Sequence, residues 1–195
     1  MRHPVVWHVV EAEGLPGVEA LGLLPAAELR ELAGAPGTDG NRDDFVPLQL
    51  PGGPAVLRFQ QMADAKLLPS LAGAYAGQPA RWRAMIDSHV FFWADPARRD
   101  SFIRATRRER ARSPGAASDT PSAVYAFHTG ALLADLPDVA FYSTFNTGST
   151  VRGAARARRD EDTFRPTTAY RSGPAAELAI RSAVPPALLA RARLA

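Results

Sequence analysis

Short apolar runs bounded by Pro, Gly, Asn and Asp recur along the chain and predict about seven β-strands. These strands are expected at residues 4–10, 45–50, 54–59, 89–93, 122–128, 139–143 and 175–180. They crowd towards the second half of the chain and do not alternate regularly with helices. No Gly-x-Gly-x-x-Gly sequence follows the first strand and no P-loop sequence is present, so the pattern disfavours a Rossmann fold and a P-loop nucleotide site.

Apolar positions three and four residues apart predict helices between the strands. Helices are expected at 26–32, 63–75, 78–88 and 96–112, with a shorter helix ending at Gly22 and another after Pro185. Asp95 and Pro96 form a clear start signal, because Asp is a good N-cap and Pro fits the first helical position. The segments 34–44, 113–122 and 144–162 are predicted loops. The pattern therefore predicts an α+β chain, and its 195 residues favour one domain spanning 1–195.

Composition removes several classes of site. The chain has no cysteine, which excludes disulfides, thiolate zinc sites and a cysteine nucleophile. Its four histidines are scattered without metal-ligand spacing, so no metal site is expected. The apolar residues around His8 form too short a run for a signal sequence or a membrane span, and the expected location is cytoplasmic.

Positive charge is clustered along the chain. The formal net charge is only +3, and all but one of the 23 basic residues are arginine. The helix predicted at 96–112 carries seven arginines against two acidic residues, Asp100 and Glu109. Such a surface suits the phosphates of a nucleic acid, although the ordinary role of a charged helix face is solvation. The candidate phosphate-binding residues are Arg104, Arg107, Arg108 and Arg110.

One carboxylate lies in a strand that is otherwise apolar on both faces. Residues 175–180 read Ala-Ala-Glu-Leu-Ala-Ile, and burying the unpaired charge of Glu177 would be costly. Glutamate is depleted in strands, and the small neighbours of Glu177 leave room for a ligand. Two other islands, Trp7-His8 and Asn146-Thr147-Gly148, are candidates to meet it. The alternatives are that Glu177 is solvated on an open strand face, that His8 is an ordinary core histidine, and that residues 146–148 form only a turn.

The order of these islands resembles a known family. A strand with Trp-His, a helix ending in Gly-Leu-Leu, a Phe-Phe-Trp strand, an Asn-Thr-Gly loop and a late Ala-Glu-Leu strand follow one another along most of the chain. This order resembles the DarT-like branch of the ADP-ribosyltransferase superfamily, which contains bacterial DNA-base-modifying toxins. The resemblance is closest to their uncharacterised relatives, which share Val90-Phe91-Phe92-Trp93 and Asp162-Thr163-Phe164.

The resemblance implies split, strongly bent β-sheets with surrounding helices and NAD in the cleft between the sheets. It implies that Glu177 is the catalytic residue and that His8 binds a ribose hydroxyl of NAD. Two aromatic residues would wall the nicotinamide pocket, and either of two arginines would hold the diphosphate. The NAD-binding positions implied in this way are His8, Arg42, Arg58, Phe92, Trp93, Asn146 and Gly148.

The implied function is cleavage of NAD at the nicotinamide–ribose bond, with transfer of ADP-ribose to an acceptor such as a nucleic-acid base. An RNA 2′-phosphotransferase, which also uses NAD, and a non-enzymatic basic module that binds nucleotides or nucleic acid are the alternatives. The expected partners are NAD and a DNA or RNA acceptor, with no membrane. The resemblance names no particular partner antitoxin.

Overall fold

Six strands form one bent antiparallel sheet, and two more form a separate hairpin. The structure is a computed structural model that describes residues 3–35, 40–112, 122–150, 157–170 and 173–194. The strand order in the sheet is β5-β1-β4-β8-β6-β7, and the hairpin is β2-β3. In chain order the strands are β1 (Val5–Glu11), β2 (Val46–Leu50), β3 (Gly53–Leu57), β4 (Val90–Trp93), β5 (Ser122–His128), β6 (Ala140–Ser143), β7 (Arg165–Pro166) and β8 (Glu177–Ile180).

Helices surround the sheet, and the predicted α+β class is confirmed. The longest described helix begins after Asp95, whose side chain accepts bonds from the backbone N–H groups of Ala97 and Arg98, as the start signal predicts. The first helix ends at Gly22 (φ 82°), where a Cβ would lie 2.2 Å from the Val184 carbonyl oxygen. The helices are α1 (Leu15–Leu21), α2 (Ala26–Leu32), α3 (Asp64–Leu67), α4 (Pro79–Asp87), α5 (Pro96–Arg110), α6 (Thr129–Asp135) and α7 (Pro186–Ala192).

The sheet is divided at the boundary between β1 and β4. These strands pair at one register position, Trp7 with Trp93, whereas β1 and β5 pair along seven positions. Beyond Trp7 the strands separate, and the ring of His8 bonds to the Phe91 carbonyl. The β5-β1 part and the β4-β8-β6-β7 part therefore diverge, and a cleft opens between them.

Both faces of the sheet are covered, which explains why β8 is apolar on both sides. Leu178 and Ile180 are fully buried in the main core, together with Phe92 and Phe127. The opposite face carries Phe91, which packs against a second cluster. The core of that second cluster is formed by Met62, Leu67, Leu71, Trp82 and Ile86.

One predicted helix is wrong in extent. The helix expected at 63–75 ends at Leu67, and two short 3-10 turns follow at 68–70 and 73–75. Pro69 lacks the N–H that would continue the helix, and Gly73 adopts a positive φ of 54°. A further helix, α6, lies between β5 and β6. Among the described helices, none has the length and apolarity that crossing a bilayer requires.

Candidate active-site cleft

A cleft of about 980 Å³ opens where β1 and β4 separate. Its floor is formed by β1, β4 and the start of β8, one wall is α5, and the 144–150 loop lies at its edge. Its far end reaches between α1, α2 and the β2-β3 hairpin. A volume of this size suits a nucleotide-sized ligand. The predicted site residues that line this cleft are His8, Arg42, Arg58, Phe92, Trp93, Arg108, Asn146, Gly148 and Glu177.

Glu177 is the first residue of β8 and is 4% exposed. In register it lies between Trp93 of β4 and Ser143 of β6. Its Oε2 accepts two hydrogen bonds from Thr147, one from the backbone N–H at 3.0 Å and one from the hydroxyl at 2.9 Å. In the described part of the chain, no cation forms an ion pair with this carboxylate, and Oε1 has no hydrogen-bond partner.

This environment makes Glu177 a poor acid. Burial raises the pKa of its carboxyl to about 7, because the charged form loses its hydration. The two bonds from Thr147 and the more distant charge of Arg98 act in the opposite direction and favour the ionised form. Near neutral pH, Glu177 therefore exists in both its ionised and its protonated forms.

The loop that holds Glu177 is anchored by a buried arginine. Arg159 is 0% exposed and donates to the Ser149 carbonyl at 2.5 Å and to the Ser70 hydroxyl at 2.8 Å. Its guanidinium also lies 5.3 Å from the centre of the Phe145 ring. No carboxylate pairs with Arg159 among the described residues, and burial lowers its pKa. Arg159 thus connects the 68–70 turn to both sides of Thr147.

His8 lies at the point where the sheet divides. Its Nδ1 is 2.7 Å from the carbonyl oxygen of Phe91. Because a carbonyl can only accept, Nδ1 carries the proton and Nε2 keeps its lone pair as an acceptor. Burial lowers the pKa of His8 to about 4, so the ring is neutral at pH 7. A neutral histidine with a free acceptor suits a ligand hydroxyl group.

The two predicted aromatic residues differ in their positions. The Trp93 ring contacts Phe102 of α5, with centroids 4.8 Å apart, and Trp93 pairs directly with Glu177 across the strands. Phe92 is 1% exposed and packs between the rings of His8 and Phe127. Trp93 and Phe102 therefore form an aromatic wall beside the carboxylate, while Phe92 supports His8 from the core.

The Asn146-Thr147-Gly148 segment is both a turn and a part of the site. The Ser149 N–H donates to the Asn146 carbonyl at 3.3 Å, as expected for a turn. Asn146 and Gly148 line the cleft on either side of Thr147. The turn aims the N–H and hydroxyl of Thr147 at Glu177, so the two interpretations of this segment do not exclude one another.

Both candidate diphosphate-binding arginines are engaged within the protein. Arg42 is 9% exposed and bonds to both carboxylate oxygens of Asp87, at 3.1 and 3.2 Å. Arg58 lies 3.2 Å from the Glu11 carboxylate, donates to the Thr106 hydroxyl and stacks 4.2 Å above the Phe102 ring. Burial lowers the pKa of Arg58 to about 10, against the attraction of Glu11, so it remains charged.

The predicted basic surface on α5 needs one correction. Arg110 is 4% exposed and bonds to Glu11 at 2.8 Å and to Glu13 at 3.0 and 3.1 Å, so it does not belong to the exposed phosphate-binding set. Arg104, Arg107 and Arg108 are exposed. Of these three, only Arg108 lines the cleft.

The surroundings of His89 and His128 differ. His89 donates to the Met85 carbonyl at 2.8 Å and stacks on Phe164, and burial lowers its pKa. His128 is exposed on β5. Across the described ranges, no three His, Asp or Glu side chains lie close enough together to hold a metal ion.

Comparison with protein-family models gives one match. Residues 4–188 match the model described as a family of unknown function, DUF7002. The chain belongs to this family. The DUF7002 chain has no match among curated proteins. It has no match among solved structures either.

Three residues of this DUF7002 site were missed from the sequence. Thr147 was predicted only as part of a segment that could meet Glu177, with no role of its own, yet it supplies both hydrogen bonds to Glu177. Phe102 and Arg98 line the cleft from α5. The helical spacing of Arg98, Phe102 and Arg108 would have placed them on one face, but the sequence gives no signal for which face meets the cleft.

Proposed function

We propose that this chain is an NAD-dependent ADP-ribosyltransferase, which cleaves NAD at the nicotinamide–ribose bond and transfers ADP-ribose to an acceptor such as a nucleic-acid base. One observation carries the proposal: Glu177 is a buried carboxylate in a nucleotide-sized cleft, held by neutral donors alone. A carboxylate that only stabilised the fold would be expected to pair with a cation. Leaving it unpaired beside a cleft favours a ligand that supplies positive charge.

The chemistry fits this environment. Nicotinamide leaves with the bonding electron pair, and positive charge develops at C1′ of the ribose. An ionised carboxylate that accepts a hydrogen bond from the neighbouring 2′-hydroxyl stabilises that charge. The acceptor then bonds to C1′, and its proton passes to Glu177. A pKa near 7 suits both roles, because the ionised form is populated and proton uptake is easy.

The surroundings of Glu177 support the same substrate. The tilted rings of Trp93 and Phe102 offer an aromatic wall beside the carboxylate, which suits a nicotinamide ring. His8 offers a neutral acceptor to a ribose hydroxyl at the division of the sheet. The order of sequence motifs that resembles the DarT-like family leads to the same assignment of these residues.

A second candidate is the RNA 2′-phosphotransferase reaction, which also consumes NAD. The observation that favours it is the set of arginines on the cleft wall, where Arg98, Arg108 and Arg112 are all exposed. Such a wall could receive the phosphate of an RNA substrate. It does not by itself require an unpaired buried glutamate, and for this reason ADP-ribose transfer is preferred.

Nicotinamide release from NAD tests the proposal. The native chain is incubated with NAD alone, with single-stranded DNA, with RNA, and with RNA that carries a 2′-phosphate. We expect release that a nucleic acid stimulates, together with a mass increase of one ADP-ribose on that acceptor. Glu177→Gln should reduce release by about 100-fold or more, while Glu19→Gln, on the exposed face of α1 outside the cleft, should not change it.

The other outcomes are distinct. Loss of the 2′-phosphate from RNA, with no ADP-ribosylated polymer, would select the second candidate. Binding of NAD or nucleic acid without nicotinamide release under any condition would contradict both enzyme assignments and indicate a binding module.

A further inference from the structure

The residues expected to hold the diphosphate are already paired with internal carboxylates. Arg42 bonds to Asp87, which also bonds to Arg30 at 2.6 Å. Arg58 lies against Glu11 beneath α5. Moving either guanidinium towards a ligand would leave a buried carboxylate with less compensation, which is unfavourable. A diphosphate in this cleft therefore needs cations from elsewhere.

One face of α5 lines the cleft from end to end, and the residues just after the helix continue it. The cleft-lining residues recur at intervals of three and four, as a helix face requires. They begin next to Glu177, whose charge interacts with Arg98, and continue towards the end of the helix. The residues of this α5 wall are Arg98, Ser101, Phe102, Ala105, Arg108, Glu109 and Arg112.

Two arginines of the α5 wall have no strong carboxylate partner. Arg98 is exposed, and its Nε lies 3.9 Å from Asp95, at the limit of an ion pair. Arg108 donates to the Arg104 carbonyl at 3.2 Å, and no carboxylate pairs with it among the described residues. Arg112, in contrast, is paired with Glu109 at 2.9 Å. The free positive charge of the wall is therefore at Arg98 and Arg108.

The spacing between these two cations leaves room for an anion-binding site. Arg108 lies ten positions after Arg98, which is about 15 Å along a helix. Ser101 and Ala105 lie between them on the same face, and their small side chains let a ligand approach the helix closely. Two arginine side chains can converge on such a site and bind phosphate oxygens with their planar guanidinium groups.

We infer that Arg98 and Arg108 hold the diphosphate of a nucleoside-diphosphate ligand that lies along α5, over Ser101 and Ala105. This inference rests on the proposed function only in that the diphosphate is taken to be that of the same NAD whose ribose meets Glu177. It replaces Arg42 and Arg58 as the diphosphate-binding residues. Those two arginines instead position the hairpin side of the cleft through Asp87 and Glu11.

ADP binding tests the inference, because ADP carries the diphosphate but no nicotinamide. The dissociation constant is measured by calorimetry at low salt for the native chain and two double variants. Arg98→Gln with Arg108→Gln should weaken ADP binding at least tenfold. Arg104→Gln with Arg107→Gln is the matched control, since it removes two exposed charges from the same helix outside the cleft, and its affinity should stay within twofold of native. Thermal melting verifies that each variant is folded.

Salt dependence adds a second measurement. The native affinity for ADP should fall as NaCl rises, and the slope should flatten in the Arg98/Arg108 variant while the control keeps the native slope. Equal losses in the two variants, no loss in either, or no ADP binding by the native chain would overturn the inference. Tight ADP binding through Arg98 and Arg108 without nicotinamide release would contradict the proposed function alone. Native nicotinamide release and ADP affinity in the Arg98/Arg108 variant would contradict this inference alone.

Discussion

Two glutamates line the same cleft and are equally buried, yet their surroundings differ. Glu11, at the end of β1, is 2% exposed and lies against two guanidinium groups, Arg58 at 3.2 Å and Arg110 at 2.8 Å. Glu177, at the start of β8, is 4% exposed and is bonded only by the neutral groups of Thr147. The first charge is compensated within the protein, and the second is not.

Under the proposed function, the difference separates a structural carboxylate from a catalytic one. Glu11 joins β1 to Arg58, just after β3, and to α5, so it fixes the cleft wall relative to the strand that carries His8. Glu177 makes no such connection and keeps one oxygen for the cleft. Burial alone would not distinguish the two residues. The partners of each carboxylate distinguish them, and they suggest that a change from Glu to Gln has opposite effects on stability at the two positions.

The largest effect is expected at Glu11. Glu11→Gln removes the charge between Arg58 and Arg110 and leaves two buried cations repelling each other. The free energy of unfolding should fall by about 3–5 kcal/mol, the range for breaking a buried ion pair. Urea titration at pH 7 measures it. A loss below about 1 kcal/mol would mean that the cluster does not hold the wall in place.

Glu177→Gln should have the opposite effect on stability. The ordinary pKa of a glutamate is 4.5 and that of Glu177 is about 7, so between these values the folded chain holds a proton that the unfolded chain has released. The stabilisation that comes from this retained proton is therefore fully present below pH 4.5 and is lost as the pH rises through 7. Glu177→Gln removes this loss, and at pH 8 it should stabilise the chain by up to roughly 3 kcal/mol.

The measurement is the difference in unfolding free energy between variant and native chain at pH 5 and at pH 8. The difference should be small at pH 5 and positive at pH 8. Glu19→Gln, on an exposed surface, should show no change between the two values. A Glu177→Gln variant less stable than native at pH 8 would contradict the uncompensated charge.

Thr147→Val should have a smaller effect on the same carboxylate. The substitution removes the hydroxyl that donates to Oε2 at 2.9 Å and keeps the backbone donor at 3.0 Å. Because that bond favours the ionised form, its loss should raise the pKa of Glu177 by roughly one unit. The pH midpoint of nicotinamide release should move upward by a similar amount. An unchanged midpoint with a native melting temperature would exclude Thr147 as a modulator of Glu177.

The smallest effect is expected at His8. His8→Ala removes the Nε2 acceptor and should weaken NAD binding roughly three- to tenfold, the contribution of one ordinary hydrogen bond. Since the pKa of His8 is lowered to about 4, native NAD affinity should not change between pH 8 and pH 6 through this residue. Calorimetry at both pH values measures the two quantities. A variant with native affinity would remove His8 from the binding site.

The sequence predicted the longest described helix and every described strand except the two-residue β7, because their signals are local. Asp95 and Pro96 mark the start of α5 whatever surrounds it, and the apolar run around Leu178 is visible in six residues. The broken helix at 63–75 was missed because its apolar spacing continues across Pro69 and Gly73, where the backbone cannot. At these two positions the backbone properties of proline and glycine outweigh the helical spacing of the side chains.

The site was predicted less completely because its contacts are distant in sequence. Arg110 looked like part of a basic surface, and its partner Glu11 lies 99 residues away. Thr147 is 30 residues from Glu177, and the sequence suggested that its segment meets Glu177 without showing that Thr147 supplies the contact. The sequence could suggest Glu177 from its unusual setting in an apolar strand, but it could not show that the carboxylate would be left without a cation.

The most direct measurement is a comparison of NAD affinity and turnover in the Glu177→Gln variant. In the proposed reaction the carboxylate acts on charge that develops mainly in the transition state, so it should contribute to rate more than to binding. Nicotinamide release at saturating NAD should fall by about 100-fold or more, while the dissociation constant for NAD stays within about threefold of native. A folded Glu177→Gln variant that releases nicotinamide at the native rate would contradict the catalytic assignment of Glu177.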